Sequence, residues 1–338
     1  MPSGQRPVSA GGAHVRLLWS AVALLAAALP MRDVAAADAR FPDRPVRWLV
    51  TFPVGGSIDI VARIVGQKLY ETWGRQVVVD NRPGMGGRIG TQLAASAAPD
   101  GYTQLVTLNT TLTSDNILAG KTELDVQRAF APITMLAGTS QLLVVNPSVP
   151  AKSVPEFIAY VKSRPGKLNY GSSGPGGSLH LAMELFKFRT GIDIVHVPYK
   201  GGPPAAVDLM SGQLAAMFFN TPAALPLVKG GKLRALGVST ARRSVLLPDV
   251  PTIAESGVAG FDTSVWYGLL APAATPKAII AQTHRDVIAA LRDEEVRKLL
   301  VNAGAEPVGN SPQEFADRVR DETAGWAKVI KAANIRVD

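Results

Sequence analysis

The 338-residue chain has no cysteine, so neither a disulfide framework nor a thiolate metal site is available. Histidine is almost as scarce. Beyond residue 37 only His180, His196 and His284 remain, and no two have the spacing of a zinc site such as H-E-x-x-H. Beyond residue 37 no apolar run reaches the ~18 residues of a membrane span. Charge is not massed either: the net +8 is scattered, without an aromatic-interleaved basic stripe, which argues against nucleic acid as a partner. No G-x-S-x-G occurs. Ser173 has Gly171 before it but Pro175 after, and Ser57 has Asp59 in the second glycine's place. Serine hydrolysis also needs a base oriented by an acid. A hydrolase using Ser172 or Ser173 is therefore the weaker class, and no cofactor is expected.

At 47% hydrophobic content the chain can bury a large core in two domains. Residues 1–37 read as an export signal: Arg6 and Arg16, an apolar stretch from Leu17 to Leu29, then Ala35-Ala36-Ala37 as the cleavage site. An exported chain argues against chemistry fed by ATP or NAD.

The remainder is organised around VRWLVTFPVGGSIDIVARIVGQKLYET, Val46 to Thr72. An apolar, β-branched run ends at Phe52, and Pro53-Val54-Gly55-Gly56-Ser57 turns into Ile58, Val61, Ala62, Val65 and Leu69 at helical spacing. Ser57 is the expected N-cap. The first amides of such a helix lack intrahelical partners, and its dipole adds partial positive charge there. This loop therefore binds an anion such as a carboxylate without a cationic side chain. Alone, it reads better as an ordinary strand–helix turn with a capping serine. The design recurs, however, at Ser172-Ser173-Gly174-Pro175-Gly176-Gly177-Ser178, ahead of Leu179, Ala182, Leu185 and Phe186.

Strands alternating with helices indicate an α/β protein with parallel sheets, whose ligands sit beyond the strands' carboxyl ends. Asn109-Thr110-Thr111 leaves another such end. Gly84, Gly86 and Gly90 approach a dinucleotide fingerprint, but they follow the second strand. No acidic residue ends a strand about 20 residues on, so a tight turn with close backbone packing is the better account. A second unit opens near Leu142, capping boxes at Ser153/Glu156 and Ser311/Glu314 start two helices, and the tail is helical. With no sheet of its own, that tail is expected on the first domain. The expected division is residues 38–141 plus 262–338 for lobe 1 and 142–261 for lobe 2, joined by two crossovers around a cleft.

Several residues stay open between two roles. Asp59 either favours the helix dipole or holds a water or ligand hydroxyl. Tyr199 and Lys200, on a turn, are solvated or touch ligand. His180, one turn into the second helix, could offer a donor to the cleft, whereas His196 reads as packed and Trp266 and Tyr267 as core.

Taken together, FPDRPVRWLVTFPVGGSIDIVAR, VVVDNRPGMGGRIG, APDGYTQLV, KSVPEFIAYVKSRPGKLNYGSSGPGG, VHVPYKGGPPA, KLRALGVSTARRS, LPDVPTIAESG and WYGLLAPAATP resemble the Bug family, the extracytoplasmic receptors of tripartite tricarboxylate transporters. The resemblance runs from about Phe41 to Ile335. It implies a type II periplasmic binding-protein fold and no enzymatic activity. The implied partners are a small organic acid and a membrane permease, for a monomer in the periplasm; a signalling partner is the alternative. It also implies a carboxylate held largely by backbone amides and waters. The residues so implied are Phe52, Gly55, Gly56, Ser57, Asp59, Thr110 and Thr111 from one lobe. Ser172, Gly174, Gly176, Gly177, Ser178, His180, Tyr199, Lys200, Gly201 and Asn220 come from the other. Two departures stand out: Phe219 precedes Asn220 where many relatives carry an acidic residue, and Pro175 and Gly177 replace a polar residue and a serine. Both lead us to expect a less polar ligand tail, from an aromatic or short aliphatic acid.

Overall fold

The computed structural model describes Gly4, residues 41–118, 124–332 and Ile335; the expected export signal and its cleavage site at Ala37 lie outside the described residues, Gly4 apart. β1 (Val46–Val50) carries Val46, Trp48, Leu49 and Val50 fully buried, as a strand covered on both faces requires. β2 (Val77–Asn81) and β3 (Thr103–Leu108) flank it in parallel. Between them run α1 (Ser57–Trp73) and α2 (Arg88–Ala95), and α3 (Asn109–Thr113) follows β3 directly.

β4 (Phe130–Val145) is the longest strand among the described residues, and the second half of the fold is built from its far end. That half contains α4 (Val154–Lys162), β5 (Asn169–Ser172), α5 (Ser178–Thr190), β6 (Val195–Pro198), α6 (Gly202–Met210), β7 (Ala216–Asn220), α7 (Thr221–Lys229) and β8 (Arg234–Val238). β9 (Ser264–Pro272) then returns, followed by α8 (Lys277–Arg292), α9 (Glu294–Asn302), β10 (Ala305–Pro307) and α10 (Pro312–Ala332). The strand order is β2-β1-β3-β9-β4-β7-β5-β6, with β8 and β10 also paired to β4.

The expectation of wholly parallel sheets needs correction. β9 runs antiparallel to both β3 and β4, and β4 antiparallel to β7 and β8. The reason is connectivity: a chain that leaves along one strand and comes back along its neighbour must pair antiparallel. β4 pairs with β9 from Phe130 to Ser140, with β7 from Gln141 to Val145 and with β8 from Leu142 to Val145, so one strand belongs to both sheets. Register shifts at Pro132/Thr134 and Met135/Ala137 mark bulges, the first where proline has no N–H for the ladder.

The core follows the same division. Trp48, Val50, Val61, Val65 and Leu69 pack with Val287, Leu291, Val296 and Leu300 from the tail helices. Buried Trp48 donates through Nε1 to Gln104 Oε1 at 2.8 Å, and Gln104 in turn donates to the Gly101 carbonyl. Around Phe157, Phe186 and Phe218 lies a second cluster, in which Phe218 and Phe261 stack at 5.7 Å with Phe186 edge-on to both. α10 crosses between the clusters. Phe315 and Val319 meet Trp266 and Leu270, and Ile330 meets Leu181 on α5.

Gly268 in β9 makes room for the buried Phe315 ring, which a Cβ at this position would strike. Overpacking of this kind costs about 1–3 kcal/mol. We therefore expect Gly268→Val to lower the urea midpoint accordingly without changing the slope of the transition; an unchanged midpoint would show that the ring can slide aside.

Candidate functional site

The first glycine loop is shaped by an aspartate. The helix begins at Ser57 with Gly56 as an extended N-cap, so the expected cap moves by one residue. Gly55, at φ +77°, donates its N–H to Asp59 Oδ2 at 3.0 Å. Asp59 is 2% exposed and also accepts from Arg63 Nε and from Asn81 Nδ2 at 3.0 Å. Asn81 holds the Phe52 carbonyl as well, at 2.9 Å. The Asp59 carboxylate is thus occupied in fixing its own loop. Relieved of capping, the Ser57 hydroxyl accepts instead from Asn220 Nδ2, 3.0 Å away at the end of β7.

Histidines support the second loop from behind. Gly174 and Gly176 have φ of +113° and +74°, and Gly177 is the extended cap of α5. Ser172 Oγ accepts the Gly174 N–H at 3.1 Å and lies 2.6 Å from His196 Nε2. Gly176 donates its N–H to His180 Nδ1 at 3.1 Å. The two imidazoles stack at 4.2 Å, and Tyr170 continues the stack beyond His196 at 4.9 Å. Tyr170 donates to Glu184 at 2.6 Å, as does Lys187 at 2.8 Å. Burial lowers both imidazoles from 6.5 to about 4. It also pushes the Tyr170 hydroxyl up, assisted by Glu184. Burial pushes Glu184 up too, but its bonds from Lys187 and Tyr170 prevail and hold it below the ordinary range.

A third glycine segment joins these two. Met85, Gly86 and Gly87 all have positive φ, and Thr111 Oγ1 donates to the Gly86 carbonyl at 3.2 Å. A Cβ on Gly86 would stand 3.0 Å from the Pro175 carbonyl. The near-fingerprint of glycines therefore serves close backbone approach between the two halves.

The loops meet around one cavity of about 20 Å³, room for a water or two. Of the expected residues, Phe52, Gly56, Ser57, Ser178 and Asn220 line it; Ile58, Leu108, Ser173, Leu179, Gly202, Pro203 and Phe219 complete the wall. Four helices of nine residues or more, α1, α5, α6 and α7, place their cap or first residues there. No lysine or arginine lines it. Three of the lining polar atoms, Ser173 Oγ, Ser178 Oγ and Asn220 Oδ1, are buried without a hydrogen-bond partner. An unmet buried polar group of this kind costs about 1–3 kcal/mol.

The remaining expected residues stand around the cavity rather than on it. Gly201, at φ +135°, lets the chain pass so close to Pro53 that a Cβ would collide. Tyr199 donates to Asp208 at 2.5 Å, and burial together with Asp208 raises its hydroxyl to about 12. Lys200 is exposed. Thr110 is buried with its hydroxyl unpartnered. Ser172 and His180 lie under the loop. Sequence reasoning left Ser173 out of the ligand set, and it missed helix α7, whose Pro226 reads as a breaker. Tyr267, read as core, is fully buried; burial raises its hydroxyl, opposed by Ser57 and Thr139.

The family model described as "Tripartite tricarboxylate transporter family receptor" matches residues 61–335. Protein BugT of Bordetella pertussis is 37% identical over 298 residues, covering 88% of this chain and 91% of that protein. Among solved structures, Rpa4515 of R. palustris with adipate superposes at TM-score 0.85 and 38% identity, covering 88% of this chain and 99% of that one. MatC of Rhodopseudomonas palustris with bound malate gives 0.82 and 32%, covering 86% and 100%.

The buried imidazoles make a prediction about acid stability. Their folded values lie below their unfolded ones, so between about pH 6.5 and about pH 4 the unfolded chain binds more protons. Stability is complete above that window and falls as pH drops through it. His180 accounts for roughly 3 kcal/mol of the loss, and the less shielded His196 for less. Urea midpoints at pH 7.5 and pH 4.5 will measure it, and equal midpoints would mean that the rings are charged in the fold.

Proposed function

The chain belongs to the tripartite tricarboxylate transporter family of receptors, and from that premise we propose that it is a periplasmic binding protein that captures a small organic acid and hands it to a membrane permease. The observation that carries this reading is the convergence of four helix N-termini on a cavity with no cationic side chain. The dipoles of all four favour an anion there, and α1 and α5 add free first-turn amides, while Pro203, Pro204 and Pro222 leave α6 and α7 fewer N–H groups to offer. The three unpartnered oxygens would gain partners from a bound acid and the waters around it. Relatives with adipate and malate bound support a carboxylate as the ligand class.

The wall argues for the rest of the ligand. Phe52, Leu108, Leu179, Pro203 and Phe219 offer apolar surface, and no carboxylate side chain lines the cavity to receive an ammonium group. An aliphatic or aromatic acid fits this wall better than an amino acid or a hydroxylated tricarboxylate. Residues 38–141 with 262–338, and 142–261, would act as the two lobes, opening about β4 and the Val238–Ser264 connection to admit it. In this reading Gly56, Ser57, Ser173, Ser178 and Asn220 meet the ligand, while Gly55, Asp59, Thr111, Gly174 and Gly201 shape the loops that present them.

A hydrolase has one observation in its favour, the close Ser172–His196 pair. Against it, Ser172 is fully buried and bonded to Gly174 beneath the loop. Turnover lost in Ser172→Ala would revive that reading.

Calorimetric titration of the mature protein with adipate, benzoate, citrate and aspartate will decide the ligand class. We expect adipate or benzoate to bind well ahead of the other two. Ser178→Ala should weaken binding roughly tenfold, the loss typical of a hydrogen bond to a charged group. A strict preference for aspartate or citrate would overturn the assignment of an apolar tail.

A further inference from the structure

We propose that His180 is a positioning residue rather than a ligand contact: as a neutral acceptor it fixes Gly176, and thereby sets the loop that delivers Ser173, Ser178 and the free amides of α5 to the cavity. The geometry is direct. His180 is 4% exposed, its Nδ1 accepts the Gly176 N–H, and its ring lies flat against His196 at 4.2 Å. Its neighbour supports the other end of the loop, because Ser172, which accepts the Gly174 N–H, is itself held at 2.6 Å by His196. Two glycines with positive φ have little intrinsic preference for this path. The two imidazoles supply the constraint that the glycines cannot.

The bond to Gly176 defines the tautomer. With Nδ1 accepting, the proton resides on Nε2, which faces Glu184 Oε1 at 4.0 Å. A second proton would have to enter at Nδ1, where it would oppose the Gly176 N–H donor to donor, and the loop would have to leave. Among the described residues, the titratable and charged groups that face His180 are Glu184 and Lys187 from its own helix and His196 from β6, with Tyr170 of β5 behind His196 and bonded to Glu184. Glu184 alone favours the extra proton, and its bonds to Tyr170 and Lys187 already occupy it. The device therefore works with the ring neutral and fails on protonation.

Two substitutions separate acceptor from bulk. His180→Asn offers an amide oxygen near the place of Nδ1 but cannot titrate; His180→Leu keeps volume and removes the acceptor. The readout that a merely structural role would not move is the Gly176 amide itself. By NMR, its hydrogen exchange should quicken at least tenfold in the leucine variant and return to within about threefold in the asparagine one, since exchange follows local opening. Its chemical shift should titrate near pH 4 in the unmodified protein, and most of that response should be lost in His180→Asn, with only the indirect effect of His196 remaining. Adipate titration should show the same order, with a loss of tenfold or more for leucine and rescue by asparagine. That arm rests on the receptor reading. If adipate fails to bind the unmodified protein, the ligand assignment suffers, while the amide measurements judge His180 independently. Equal Gly176 exchange in all three proteins, or a shift that titrates unchanged in His180→Asn, would overturn the proposal. Should the leucine variant not fold, the asparagine comparison still decides.

Discussion

The structure depends on main-chain amides that no helix can satisfy internally. Every helix leaves its first N–H groups unpaired, and a single end exposed to water is unremarkable. Here four such ends face one another across a space the size of a water or two. Bringing them together costs desolvation and repulsion between like partial charges, which the fold must offset elsewhere. The offset is visible in the long antiparallel ladder of β4 with β9, in the continuation of β4 into the second sheet, and in the apolar clusters on either side. Beside the cavity Ser57 and Asn220 share one hydrogen bond, Gly86 lies against the Pro175 carbonyl and Gly201 against Pro53, while farther out Ile330 packs on Leu181 and Ser140 bonds Thr221.

A charge-free wall has a chemical consequence. Arginine or lysine would bind any carboxylate strongly and over a long range, whatever its other end carried. Amides and hydroxyls act at short range and only in register, so on the receptor reading the contribution of the carboxylate stays modest and the fit of the tail decides more of the outcome. The two kinds of glycine loop reach this state by different routes. Asp59 shapes the first through a charged hydrogen-bond network at the rim, linked to half-exposed Arg63. Neutral stacked rings in the interior shape the second. The rim network is open to screening by salt, and the interior one responds to protons.

Much of this was legible in the residues. Both strand–glycine–helix units, the capping serines of α4 and α10 and the helical tail follow from local chemistry; Ser311 and Glu314 exchange both bonds of the capping box. Three features were not legible, for distinct reasons. Pro132 and Gly138 break the pattern of β4, so its first eleven residues do not read as strand; the ladder with β9 overrides local propensity there. Pro226 conceals α7, and with it a helix end that reaches the cavity. Ser57 and Gly56 exchange the cap because the serine has a partner 163 residues away, which no local rule contains. Likewise the role of His180 depends on a ring from another strand.

The smallness of the cavity also limits what closure can be worth on its own. One hydrogen bond between neutral groups contributes about 0.5–1.5 kcal/mol, and the unmet oxygens of Ser173, Ser178 and Asn220 act in the opposite sense. On the receptor reading the open and closed forms are then close in free energy before an acid arrives. A ligand can move such an equilibrium only through its differential affinity for the two forms, which on that reading comes from helix ends that surround it only when closed. A wall built from arginine would have captured acids in the open form too, and so would have weakened the coupling between binding and closure. On the receptor reading, the paucity of cationic side chains around the site is thus part of how a shape change would be tied to the ligand.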